Sequence, residues 1–242
     1  MSILGVVTAW EVLGQRSPSY MSYPSAILEA FVQLAFVDDR IVPAFAVTLH
    51  GLIVGFVIAA GLGIPIGLAM GRIRLLETIL DPYVSALYAT PRIAMIPLLV
   101  LWAGIGFELR ITVVVLSAIF PIIITTYIGT RNVDREFVET GRAFVAGRIQ
   151  MLRSVVIPAS LPYIFAGLRI GLAKALIGVI VAEMTAAVTG TGALIVAFGR
   201  FFQTDRLFVP VIMLGFISIL LARTVLAVQH RVTPWAEDRR MR

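Results

Sequence analysis

Five uninterrupted apolar runs limit what this chain can fold into. Ala44 to Met70, Ile79 to Ala103, Ile111 to Thr130, Ile164 to Val188 and Phe208 to Val228 each reach the length of about 20 residues with which a helix crosses the hydrocarbon core of a bilayer. A sixth run, Ile3 to Leu13, is shorter and reads either as a tilted, incomplete span or as the remainder of one whose true start lies upstream; it lacks the basic leader and small-residue cleavage site of a signal peptide. With 59% hydrophobic residues, 14% charged residues and a mean hydropathy of +0.96, the chain has too little polar surface for a soluble globule. The expected fold is all-α, a polytopic membrane protein of about six transmembrane helices with the first one short.

The cations give an orientation, because arginines near span ends are retained on the cytoplasmic side. With the amino terminus inside, eleven arginines fall on that face: Arg72, Arg74, Arg131, Arg135, Arg142, Arg148, Arg153, Arg231, Arg239, Arg240 and Arg242. Five, Arg16, Arg40, Arg110, Arg200 and Arg206, fall on the other. Both termini are therefore expected to be cytoplasmic, and topology accounts for the net charge of +6 without a nucleic-acid partner. The absence of cysteine excludes disulfides and thiolate metal sites.

Inside the second run, Gly51, Gly55, Ala59, Gly63, Gly67 and Gly71 recur at every fourth position and form a ridge without side chains along which another helix can approach. Gly167, Gly171 and Ala175 repeat the idea in the fifth run. Such ridges pack helices, within one chain or between two copies of it, or else line a pore. Pro65, Pro91, Pro97, Pro121 and Pro210 lie in or at the rims of spans, and each is expected to bend its helix. Arg92, beside Pro91, sits at a depth where a cation must face protein or water. It is either the partner of a buried carboxylate or a contact for an anionic cargo. Glu183 is the plainest acidic candidate in a long span, and it joins Arg92 as a possible substrate-pathway residue. Arg169, Lys174 and Arg223, nearer span ends, can snorkel to the interface.

The polar stretch between the fourth and fifth runs, ETGRAFVAGRIQMLRSVVIP from Glu139 to Pro158, is a handle outside the bilayer. Phe137, Phe144, Val145, Ile149 and Leu152 follow a helical period, with Arg135, Glu136, Glu139, Arg142, Arg148 and Arg153 at other positions. Periodicity alone is equally compatible with a helix lying on lipid headgroups and with one docking onto a protein. The chain carries no phosphate-binding loop, since its single lysine, Lys174, stands between alanines. The glycines at 190 and 192 read as an outer-side loop and not as a dinucleotide site. His50 and His230 are too far apart in sequence to suggest zinc or haem.

Glu139, Val155, Ile157 and Pro158 stand at the offsets of the pattern Glu-Ala-Ala, three residues, Gly, nine residues, Ile-x-Leu-Pro, so that the segment resembles the loop with which ABC importer permeases engage their ATPase. The surrounding chain resembles the binding-protein-dependent branch that serves sulfonates, taurine, nitrate and thiamine-precursor pyrimidines. The matches are Trp10-Glu11, Pro24-Ser25-Ala26, Pro97-Leu98 with Trp102 and Gly104-Ile105-Gly106, Phe120-Pro121-Ile122, Val133-Asp134, Gly167-Leu168-Arg169, Ala182-Glu183-Met184 and Thr204-Asp205-Arg206. Val145 replaces the loop glycine of the pattern, and Thr140-Gly141 replaces its two alanines. Valine supplies a positive φ poorly, so Gly147 is expected to take over that duty.

The resemblance implies a type I ABC importer permease: one transmembrane domain over 1–242 with an ATPase-coupling loop at 134–158. Within that loop Glu139, Gly141, Arg142, Phe144, Ala146, Gly147 and Pro158 are the candidate residues. It also implies a multi-pass protein of the cytoplasmic (inner) membrane, working among membrane lipid as a homodimer, with a separate ABC ATPase that binds ATP and Mg and a periplasmic or extracellular solute-binding protein. The chain itself would be no enzyme and hold no cofactor. The cargo would be a small anionic or heteroaromatic solute. A self-sufficient secondary carrier is the alternative, distinguished by uptake on an ion gradient without ATP; a membrane enzyme or scaffold would show activity in the isolated subunit.

Overall fold

The computed structural model describes residues 3–16, 22–186 and 189–236, and every regular element within them is helical. Arg239, Arg240 and Arg242, counted above on the inner face, and Val188, the end of the fifth run, lie outside the described residues. Among the described residues four helices are long and apolar enough to cross a membrane: α3 (Ile41–Arg72), α6 (Phe107–Arg131), α11 (Thr204–Val232), and α8 (Arg148–Met151) running through a π turn into α9 (Ile157–Ala186). The third apolar run is broken, with α4 (Arg74–Ala89) and the stretch Arg92–Ala103, which ends in α5 (Ile96–Ala103), bent by 83° across the break. The short helices are α1 (Ile3–Arg16), α2 (Pro24–Val32, extended by a π turn), α7 (Arg135–Ala143) and α10 (Thr191–Arg200).

Helix α6 is the axis of the bundle. The glycine row of α3 lies against it in constant register: a Cβ on Gly51 would touch Arg110, on Gly55 Val114, on Gly63 Ile122, on Gly67 Thr126 and on Gly71 Thr130. Each step of four on α3 meets a step of four on α6 in the same direction, so the two helices are parallel and nearly in backbone contact over five turns. α6 also meets α9 antiparallel, with Gly167 over Thr125, Gly171 over Ile122 and Gly178 over Ser117, and Ile122 is shared by both seams. Gly129 of α6 receives Tyr163 in return. Packing within the chain thus consumes both ridges, which corrects the expectation that they were candidates for contact between two copies.

Only one of the membrane prolines breaks its helix. Pro91 pushes Thr90 into the extended region at φ −66°, ψ 134°, and α4 stops there. Pro65, Pro121 and Pro210 sit inside continuous helices. The carbonyl that Pro121 leaves without a donor, Ser117 O, accepts instead from Arg92 Nη1 at 3.1 Å. Pro97 stands in the first turn of α5, where a missing N–H is harmless. Gly104 (φ 73°) and Gly106 (φ 135°) turn the chain from α5 into α6 through conformations that side chains resist.

A polar knot ties one end of the bundle together. Glu183 of α9, 3% exposed, accepts from Arg110 Nε of α6 at 2.9 Å and from the Gly192 amide in the first turn of α10 at 3.0 Å. Thr48 Oγ1 of α3 lies 2.9 Å from both carboxylate oxygens and accepts from the Thr191 amide at 3.0 Å. Arg110 also donates to Thr189 O at 2.7 Å. The carboxylate therefore sits at the positive end of a helix and beside its counter-ion, which offsets much of the expense of burying it. Gly190 (φ 106°) makes the approach possible, because a Cβ there would collide with the Glu183 carboxyl. The 190–192 stretch is thus the bend and N-terminus of α10 and more than a loop, and Arg110 is a buried helix residue, not one of the surface cations of the orientation tally.

Several of the paired motifs meet in space. Glu11 of α1 accepts from the amide and hydroxyl of Ser25 at the start of α2 (3.1 and 2.6 Å), and Trp10 Nε1 donates to Ser22 O at 2.8 Å. Arg206 of α11 donates to Gln33 Oε1 at 3.2 Å and pairs with Asp38 at 3.9 Å. At the opposite end of the bundle from Glu183, Glu77 of α4 binds Tyr127 and Arg131 of α6.

Two expectations follow from this packing. In Gly67→Val the new Cβ would stand 2.7 Å from Ile123 O and Thr126 Cβ, and the variant should lose about 1–3 kcal/mol, whereas Gly61→Val, whose Cβ meets nothing within 4 Å, should unfold like the parent; thermal unfolding in detergent compares them. Glu183→Gln should lose about 3–5 kcal/mol by stranding Arg110, and Arg110→Met/Glu183→Met should recover much of it, as read from denaturation midpoints.

Candidate functional site

The handle is built as a helix, a turn and a second helix. Asp134 caps α7, its carboxylate accepting from the Glu136 amide at 3.2 Å, while Glu136 in the first turn and Arg142 in the last complement the dipole. Glu139 is exposed on α7. Gly141 lets α7 close on α8, since a Cβ there would stand 2.8 Å from Met151 Cε. The helix does not run on through Phe144, as the apolar period suggests. It ends in a Schellman motif, with Val145 N donating to Arg142 O at 2.9 Å and Ala146 N to Gly141 O at 3.1 Å.

Val145 occupies the C′ position of that motif at φ 53°, in the left-handed region. Gly147, at φ −62° and ψ 165°, is the N-cap of α8. The expectation that Gly147 takes over the positive φ is therefore wrong: the conformation stays at its place in the pattern, and a β-branched residue adopts it under strain. The reason is that the two closing hydrogen bonds demand a left-handed residue at 145, whatever its side chain. The turn thrusts Phe144 and Val145 outward, 82% and 89% exposed, and Ile149 follows at 69%.

Behind the turn lies a cavity of about 920 Å³ between α7 and the start of α9, lined among others by Asp134, Thr140, Gly141, Pro158, Tyr163 and Trp235. Trp235, after α11, had no signal in the periodicity that would have placed it there. Phe137 and the exposed Phe144 also line this hollow, which therefore opens beside the tip of the handle.

The two pathway candidates sit apart and serve different roles. Glu183 is enclosed by the polar knot described above. Arg92 has no carboxylate partner among the described residues, contrary to one of its two readings; it donates to Ser117 O and to Tyr88 O (2.9 Å), the latter a last-turn carbonyl of α4. Its guanidinium lies between the rings of Tyr88 and Phe120, at 5.3 and 5.6 Å from their centroids. His50 stacks on Phe107 at 4.8 Å, and no group of three or more His, Asp or Glu among the described residues is placed to hold a metal.

Comparison with known proteins agrees with this arrangement. Residues 63–238 match the family described as binding-protein-dependent transport system inner membrane component. The taurine transport system permease of Escherichia coli K12 is 31% identical over 95% of this chain and 86% of its own length. A riboflavin transport system permease of Chloroflexus aurantiacus is 39% identical, over 62% of this chain and 56% of its own. In fold, the chain is similar to a chain of the inward-facing methionine ABC transporter MetNI, with a TM-score of 0.65 and 20% identity over 86% of this chain and 95% of that one. The handle between two membrane helices, the parallel and antiparallel packing about α6 and these likenesses have one explanation: the chain is a multi-pass permease of the binding-protein-dependent ABC importer family, in the branch that includes taurine and aliphatic sulfonate permeases.

Proposed function

We propose that this permease is the membrane half of an ATP-driven importer of a small anionic or heteroaromatic solute of the sulfonate, taurine, nitrate or thiamine-precursor pyrimidine class. A separate ABC ATPase binds ATP and Mg, and a solute-binding protein outside the membrane delivers the cargo. Two copies of the chain form the pathway within the lipid, with both termini and the 134–158 segment on the cytoplasmic side. The observation that carries this reading is the projecting Phe144–Val145 turn, an apolar tip held off the bundle by a short helix whose N- and C-terminal ends are both capped.

ATP can drive transport only if nucleotide binding favours one arrangement of the permease over another. A rigid helix continuous with a spanning helix suits that purpose. α8 and the π turn run without interruption into α9, so a displacement of the tip is carried into the helix that packs along α6. On this reading Phe144 seats in a groove of the ATPase, with Glu139 and Arg142 at the groove rim and Gly141, Ala146, Gly147 and Pro158 shaping the support. The taurine relative favours a sulfonate cargo by likeness alone.

The test is reconstitution of the permease with its ATPase and binding protein, following uptake of taurine or ethanesulfonate. Uptake should require ATP hydrolysis; accumulation on a proton or sodium gradient with the ATPase absent would refute the reading in favour of a secondary carrier. Phe144→Ala should weaken assembly with the ATPase by about 2 kcal/mol, measured as affinity between the purified parts, and depress coupled uptake. Val145→Gly should stabilise the turn by about 1 kcal/mol, seen as a higher unfolding temperature of the purified permease, because glycine adopts φ 53° without strain.

A further inference from the structure

The geometry points to a binding site for the anionic head of a small organic solute in the cavity at the α4–α5 break, with Lys174 and Arg92 supplying its charge. The inference rests on the importer reading above and deepens it by naming what part of the cargo the membrane domain recognises.

The cavity has a volume of about 420 Å³ and is lined by Tyr88, Thr90, Arg92, Ser117, Lys174 and Gly178 among others. Its depth follows from α6. Ser117, whose carbonyl Arg92 contacts, lies 10 residues from Phe107 and 14 from Arg131, which at 1.5 Å per residue is about 15 Å and about 21 Å from the helix ends. This is near the middle of the hydrocarbon core, too deep for a lipid headgroup. Three turns of chemistry meet there: the end of α4 at its proline break, the proline-freed carbonyl of α6, and a stretch of α9 that Gly178 brings close against Ser117, where a Cβ would stand 2.6 Å from the serine hydroxyl.

Two cations share the cavity, and the described ion pairs, Arg110 with Glu183, Arg131 with Glu77 and Arg206 with Asp38, include neither of them. The carbonyls of Ser117 and Tyr88 satisfy two donors of Arg92 but cancel none of its charge, and its Nε is buried without a partner. Lys174 is exposed on the same wall, well inside α9 and level with Ser117, and not near a span end as the apolar runs suggest. Uncompensated charge at this depth is expensive and marks solute pathways. A sulfonate or carboxylate head would neutralise it through charge-assisted hydrogen bonds from the two cations. Glu183, by contrast, has its oxygens occupied and belongs to the fold.

The test measures binding of ethanesulfonate to the full-length permease in nanodiscs by saturation-transfer NMR, with the neutral ethanesulfonamide as comparison. Lys174 is exposed, so Lys174→Met should fold. It should weaken ethanesulfonate binding about tenfold or more, Lys174→Arg should restore it to within about threefold of the parent, and Arg92→Lys should also weaken it; the sulfonamide should compete poorly. Absence of binding to the parent, equal binding by parent and Lys174→Met, or equal competition by the sulfonamide would overturn the site. ATP dependence of uptake decides the importer reading separately, so a charged site in a permease that needs no ATPase, or an ATP-driven importer indifferent to Lys174, would each be recognised for what it is.

Discussion

The contact on which the rest of this structure depends is the approach of α3 to α6 along a row of residues with no side chain. In a bilayer no hydrophobic force drives helices together, because lipid tails are as apolar as leucine. What remains is dispersion between closely fitted surfaces and the satisfaction of polar groups inside the protein. The Gly51 to Gly71 row provides the first over five turns, and its register sets where everything else can sit. α6 is fixed by it, α9 packs against both α6 and α3, and the handle hangs from α9.

Polar satisfaction decides the rest, and it does so in pairs of apparent defects. Pro121 removes a donor from α6, and Pro91 ends α4 with its last carbonyls open; a single arginine, Arg92, serves both. Glu183 is a buried carboxylate and Arg110 a buried guanidinium, and the N-terminus of α10 with Thr48 completes their hydrogen bonding. Each would be a liability in lipid taken singly. Together they lock four helices at one end and bind the broken span to the axis at its middle, while Glu77, Tyr127 and Arg131 close the other end.

The projecting turn shows a different balance. A valine held at φ 53° is unfavourable in isolation, yet two backbone hydrogen bonds and the tight contact of Gly141 with Met151 leave the backbone no alternative there. The strain falls at Val145, 89% exposed, beside an aromatic tip that the described residues leave 82% exposed. A rigid turn presenting apolar surface suits contact with another protein, and its continuity with α9 gives that contact a route into the membrane.

The class and much of the mechanical plan were legible in the order of the residues. Run lengths named the spans, every-fourth spacing of small residues named the packing ridges, and the order of short motifs named the family and the handle, because these are local or periodic properties that a single chain displays. Partnership was not legible. Nothing in the spacing told that the ridge on α3 faces α6 and not a second copy, that Arg110 and Glu183 are one ion pair, that Lys174 shares a cavity with Arg92, or that Val145 keeps the left-handed turn. Those facts depend on which residues far apart in sequence come to one depth in the membrane, and on which hydrogen bonds then override the preference of a single side chain; only the tertiary structure supplies both.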